Sequence, residues 1–193
     1  MPEHQWRRQL RRSVPLVLTL ALVLGACSSK SGGEKAADAV TAGLAAHVAG
    51  RLDDAEKEYR KALDADANNT SARYNLGLIA QTRGDAAAAE LEYRAVLAID
   101  PRFAPALFNL AILRTAAGSF DEAIALYRRT IAVNTNDANA HLNLGFALQQ
   151  QGKKAEGQAE LNRAVQLNPA LSSRIPQQTS SPKPASGPSE TPG

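Results

Sequence analysis

"YNLGLIAQTRGD" spans Tyr74 to Asp85, and its Asn-Leu pair followed by a later glycine returns as "NLAILRTAAGSFD" from Asn109 and "NLGFALQQQGK" from Asn143. Asn75, Asn109 and Asn143 lie 34 residues apart, and each stands nine residues before a glycine: Gly84, Gly118 and Gly152. Gly50 extends the glycine series one step towards the N-terminus. Four glycines on one period divide the block into units at residues 36–69, 70–103, 104–137 and 138–171.

Within the second unit the apolar residues fall at Leu76, Ile79 and Ala80, then at Ala89, Tyr93, Val96 and Leu97. Spacings of three and four mark helices, and the alternation of a strand is missing throughout. Glycine between two such stripes supplies the left-handed residue that ends a helix. Pro101 and Pro169 stop one helix or open the next. Helices of about 13 residues are marginal alone in water, so each must lean on its neighbours. Each buried Leu, Ile, Val or Tyr then contributes roughly 1.5–3 kcal/mol. The expected fold is all-α, a solenoid of stacked antiparallel helix pairs with a shared core.

A 34-residue helix-turn-helix with these small and large positions resembles the tetratricopeptide repeat (TPR) family, in four copies over residues 36–171. The resemblance implies a right-handed superhelical solenoid. Gly43, Gly77, Ala111 and Gly145 match the family's small residue of the first helix, and Ala55, Ala89 and Ala123 that of the second. Gly157 replaces this alanine in the last unit, which is expected to loosen that helix by up to about 1 kcal/mol. The closing proline is present at Pro101 and Pro169 and lost at Ala67 and Thr135. The first unit diverges most, with Thr41 where the others have asparagine.

Asparagine inside a helix is less favourable than alanine by up to ~0.7 kcal/mol, so three at one position call for a reason. The resemblance implies that first helices line a concave groove and that Asn75, Asn109 and Asn143 face it. There an amide, both donor and acceptor, can bond any extended peptide backbone. By the same resemblance the groove is lined by Tyr74, Phe108 and Leu142 just before each asparagine, and by Leu78, Ile112 and Phe146 three residues after it. An apolar groove with polar rungs suits an extended peptide or a partner helix. The competing reading is that each asparagine only bonds the adjacent repeat. No lysine occupies the positions at which chaperone-binding members clamp a terminal carboxylate, which argues against that mode.

The start of the chain is of another kind. "MPEHQWRRQLRRSVPLVLTLALVLGACSSKSGG" opens basic, continues apolar from Val14 to Leu24 and ends in small residues, the pattern of a secretory signal. The apolar run is short of the ~20 residues that span a bilayer. The single cysteine, Cys27, follows "LGA" directly, and this resembles the lipobox of bacterial lipoproteins. The resemblance implies cleavage after Ala26, lipidation and acylation (palmitate) at Cys27, and stable anchoring, since two or more chains suffice where one gives reversible binding. The alternative is an ordinary cleaved signal with an accidental cysteine; the arginine pairs match a twin-arginine signal poorly.

Residues 1–26 are therefore read as signal peptide, 27–35 as lipidated flexible tether, and 172–193 as a disordered Pro/Ser-rich tail. Five of the ten prolines lie in that tail. Of 22 basic and 19 acidic residues, four and one fall in the signal, leaving 18 of each. The sequence pI near 9.2 thus reflects the leader, and nucleic acid is not an expected partner.

Catalysis and metal binding find little support. His47 and His141 have no Cys, Asp or Glu at ligand spacing, and are expected at the surface or in the groove. "GFALQQQGKK" places six residues between its glycines where a phosphate loop wants four. No enzyme activity, cofactor or metal is expected. The expected role is a membrane-anchored adaptor in the bacterial cell envelope, binding other proteins or peptides. Two alternatives are kept: a homodimer formed through the C-terminal repeat, whose Leu161, Ala164, Val165 and Leu167 are expected to stay uncovered, and a regulatory subunit of an envelope enzyme.

Overall fold

A computed structural model describes residues 30–176. The expected signal peptide, Cys27 and most of the Pro-rich tail lie outside the described residues. From Ser31 onward these residues form one folded unit, and it is all-helical among the described residues: α1 (Gly32–Val48), α2 (Leu52–Ala65), α3 (Thr70–Thr82), α4 (Ala86–Ile99), α5 (Ala104–Ala116), α6 (Phe120–Val133), α7 (Ala138–Gln150) and α8 (Lys154–Leu167). A 3-10 helix, Pro169–Arg174, follows.

The helices pair as the period requires. The most extensive packing joins α1 to α2, α3 to α4, α5 to α6 and α7 to α8, and each second helix then packs on the first helix of the next unit. Gly50, Gly84, Gly118 and Gly152 make every hairpin turn, with φ of 73°, 79°, 71° and 85°. A side chain is strained in that region. Asn69, Asp85 and Asp137 accept hydrogen bonds from the backbone amides of Ala72, Ala88 and Ala140 at 2.9, 2.9 and 3.0 Å, so each caps the helix that follows.

Inside each pair a large residue of the second helix sits over a small residue of the first. A Cβ on Gly43 would meet the Tyr59 ring at 2.5 Å, one on Gly77 the Tyr93 ring at 2.6 Å, and one on Gly145 the Leu161 side chain at 2.7 Å. In the third pair the equivalent residues, Ala111 and Tyr127, are both buried in one cluster. The tyrosine hydroxyls are treated unequally. Tyr93 donates to Gln81 at 2.8 Å and Tyr127 lies 3.3 Å from the Thr115 hydroxyl, but Tyr59 Oη is buried without a partner.

Several expectations need revision. The reading of residues 27–35 as tether overlooks a capping box: Ser31 Oγ accepts from Glu34 N at 3.2 Å and Glu34 Oε2 accepts from Ser31 N at 2.7 Å, which starts α1 at Gly32. Residues 172–174 belong to the 3-10 helix, and Leu171 and Ile175 join a cluster with Leu142, Leu161, Ala164 and Phe146. Leu161 and Ala164 are consequently buried, while Val165 and Leu167 stay half-buried, so the open edge expected at the C-terminal repeat is covered in part. Gly157 also has a packing role that the sequence reading does not include. A Cβ there would meet the Gly145 carbonyl oxygen at 2.7 Å, and one on Gly145 would meet the Gly157 carbonyl at 2.9 Å, so two glycines let these backbones approach.

Candidate functional site: the face of the first helices

Charge is distributed unevenly between the two helices of each repeat. Among the first helices, α3 carries only Arg73, α5 only Arg114 and α7 no charged residue, whereas α2, α4, α6 and α8 hold the majority of the acids and bases. Both exceptions are paired away: Arg73 with Glu92 at 3.4 Å and the Ala67 carbonyl at 3.0 Å, and Arg114 with Glu90 at 2.9 Å and the Ser119 hydroxyl at 2.8 Å. α1 differs, with Glu34, Lys35 and Asp38 exposed near its start, while α3, α5 and α7 present apolar and amide groups.

Leu78, Ile112 and Phe146 are half-buried, leaving part of each side chain open while the rest packs on the core. Tyr74 and Phe108 are also half-buried. The Tyr74 ring lies 5.4 Å from Phe103 and 5.9 Å from Tyr93, and the Phe108 ring 5.9 Å from Tyr127, centroid to centroid, distances at which tilted and edge-on rings attract. Burial pushes the Tyr74 hydroxyl above its ordinary range, opposed by its bond to Asn109. Leu142, expected in the same row, is fully buried because Leu171 packs in its cluster; it cannot touch a ligand directly.

The three asparagines occupy three different situations. Asn75 is buried and its Nδ2 donates to the Ser71 carbonyl of its own helix at 2.8 Å. Asn109 Nδ2 donates to Tyr74 Oη at 3.1 Å, tying the third repeat to the second. Asn143 is half-buried, and no side-chain bond joins it to another described residue. Neither Asn75 nor Asn109 has an amide oxygen buried without a partner. The polar rungs are thus partly spent inside the protein, and Asn143 is the amide left open.

His141 is neither a surface nor a groove residue. It is buried, with Nδ1 2.6 Å from Glu160 Oε2 and Nε2 3.3 Å from the Thr135 carbonyl, and it joins α7 to α8. Sequence reasoning missed this pair because 19 residues separate its members across a hairpin. Among the described residues no cluster of His, Cys, Asp or Glu could hold a metal ion, and no helix is long and apolar enough to cross a membrane.

A cleft of about 250 Å³ opens elsewhere, beside α2, α3 and α4, over Leu76, Ile79 and Ala88. Its charged rim is satisfied internally. Arg83 bonds Glu56 and Asp53 at 2.5 Å each, and the Arg83 and Arg60 guanidinium groups hold the Glu56 carboxyl below its ordinary range.

Models of the tetratricopeptide repeat match residues 40–102 and 138–171, and a further TPR repeat model matches residues 113–152. Together they take in more than half of the chain, which belongs to the tetratricopeptide repeat family; the fold is that of a protein-interaction module. Solved structures agree. A MamA structure from Desulfovibrio magneticus RS-1 superposes with a TM-score of 0.66 at 20% identity, covering 72% of this chain and 78% of that one. The pilF protein of Pseudomonas aeruginosa gives 0.64 at 25%, with 72% and 64% covered. YrrB, described as a TPR protein with an unusual peptide-binding site, gives 0.62 at 20%, with 72% and 74% covered. No curated protein matches the sequence significantly.

Proposed function

We propose that this chain is a lipid-anchored, extracytoplasmic adaptor of the bacterial cell envelope that takes an extended peptide or a helix of another protein along the face of α3, α5 and α7. The observation that carries the reading is the near absence of charge on α3, α5 and α7, combined with a half-open apolar row at Leu78, Ile112 and Phe146. Such a surface offers burial to a partner's apolar side chains without stranding a charge. Asn143 supplies a free donor and acceptor for the partner's backbone. The membrane part of the reading rests on the sequence preceding Cys27. The homodimer alternative keeps a narrower motive, because the chain itself covers Leu161 and Ala164 while Val165 and Leu167 stay partly open.

Ile112→Asp tests the row, with Asn143→Ala as its milder companion. In cross-linked envelopes the aspartate variant is expected to lose a partner that the wild type retains, with helicity unchanged by circular dichroism. Retention of that partner by a fully helical Ile112→Asp chain would sink the groove reading. Lipidation has its own test, the mass of the mature N-terminal peptide and its change on Cys27→Ser.

A further inference from the structure

The first helix of the first repeat carries apolar surface that the other first helices do not. Val48 is 89% exposed and Leu44 is 44% exposed, both on α1, and half-buried Val40 continues the line at the same four-residue step. A step of four keeps side chains on one face of a helix. Ala37 and Ala45 are exposed on the same helix, and from Ala39 to Gly50 no Asp, Glu, Lys or Arg occurs.

One 34-residue step further on, the positions equivalent to Val48 are Thr82, Ala116 and Gln150, and those equivalent to Leu44 are the half-buried Leu78, Ile112 and Phe146. Among the first helices, the open aliphatic face belongs to α1 alone. Its Ser31 cap stands four residues after Cys27. Four residues reach at most roughly 14 Å when fully extended. A helix of 17 residues is about 25 Å long, so an anchor at Cys27 holds the N-terminal end of α1 near the lipid surface, and Val48 reaches that surface when the helix lies flat on it.

We infer that the Val40, Leu44 and Val48 face of α1 lies against the membrane surface, seating the helical stack on the lipid by its first repeat. The inference rests on the reading of Cys27 as the lipid anchor. Held close by that anchor, an uncharged aliphatic stripe partitions into the interfacial layer, where amphipathic helices bury their apolar side by roughly 5–10 Å. The short link supplies the high local concentration that two valines and a leucine lack on their own.

The chain from Cys27 onward contains no tryptophan and one thiol, so a single reporter and a single coupling site are available. The 27–193 chain carrying Val48→Trp is coupled through Cys27 to maleimide-bearing phosphatidylethanolamine in phosphatidylethanolamine and phosphatidylglycerol vesicles. The expected result is a blue shift of the emission on coupling and quenching by lipids brominated near the glycerol backbone. Leu91→Trp, at an exposed site of α4, is expected to show neither. Adding Leu44→Asp to the Val48→Trp chain should abolish the shift while the thermal melt is unchanged.

Emission equal to that of the uncoupled chain, or equal quenching at positions 48 and 91, would overturn the docking. So would a Val48→Asp chain that keeps its lipid quenching at a Thr41→Trp reporter but loses its protein partner, since the face would then belong to that partner. An unmodified Cys27 in protein taken from cells would instead remove the anchor, an outcome the synthetic coupling keeps separate from failure of the face itself.

Discussion

At the C-terminal end of the stack Leu171 and Ile175 lie with Leu142, Leu161 and Ala164 in one cluster, whereas at the N-terminal end Leu44 and Val48 stand open on α1. Covering an end does not require an additional long helix. A six-residue 3-10 helix, opened by Pro169 and pinned by Asn168 accepting from Ala170 N at 3.1 Å, places one leucine where it is needed. The N-terminal end spends its first turn differently. Its capping box fixes where α1 begins, and does nothing for the side of the helix.

The sharpest test of this contrast is Leu171→Ala. With Leu171 only 7% exposed, its truncation is expected to cost about 2–4 kcal/mol, read from denaturant unfolding. A loss below about 0.5 kcal/mol would show that the 3-10 helix does not hold the end.

Gly157→Ala follows. Helix propensity alone forecasts a gain of up to about 1 kcal/mol, but the close carbonyl of Gly145 forecasts a loss of about 1–3 kcal/mol through overpacking. The sign of the change in melting temperature decides between them. At the opposite end Tyr59→Phe removes a buried hydroxyl that lacks a partner, and a gain of about 1 kcal/mol is expected. Tyr127→Phe, whose hydroxyl has Thr115 nearby, should not gain.

Protonation gives two pH windows of opposite sign. Arg94 first, and then Arg114, hold the Glu90 carboxyl below the ordinary value of 4.5, as Arg83 and Arg60 do for Glu56. A carboxylate lowered in the fold stabilises above its unfolded range, and that contribution is lost as pH falls through the lowered value. Burial raises the Tyr59, Tyr93 and Tyr127 hydroxyls above 10.0, so their contribution is complete below pH 10.0 and is lost as pH rises beyond it. Melting temperatures followed from pH 3 to pH 11 should fall at both extremes, and Glu90→Gln should blunt the acid limb. Smallest of all is Val48→Ser: on an exposed site it is expected to move stability by less than ~0.5 kcal/mol, in contrast to Leu171→Ala.

The period carried most of the fold. Turns at Gly50, Gly84, Gly118 and Gly152, and helices between them, follow from local rules that act within one unit, and the small residues at Gly43, Gly77 and Gly145 announce close packing. Helical spacing also puts Asn75, Asn109 and Asn143 at one position of their helices. It does not tell what each amide meets. The Tyr74 hydroxyl that engages Asn109 is 35 residues away, while Asn75 turns to a carbonyl of its own helix four residues back. Partners chosen across hairpins, such as His141 with Glu160, depend on packing distances that no spacing rule supplies. The capping box at Ser31 was different: its Ser-x-x-Glu signature is local, and two glycines inside it made helix read as tether.

The recurrence of one turn geometry at all four hairpins has a bearing on ancestry and engineering. The junctions between units repeat as well, with Asp66, Asp100 and Asn134 all extended at ψ 96°, so a copied 34-residue block inserted between Asn69 and Thr70 should seat against both neighbours without disturbing either terminus. A single-residue insertion inside a helix would rotate every later side chain by roughly 100°. Growth by whole duplications is therefore cheap for this architecture, and drift by single indels within its helices is not.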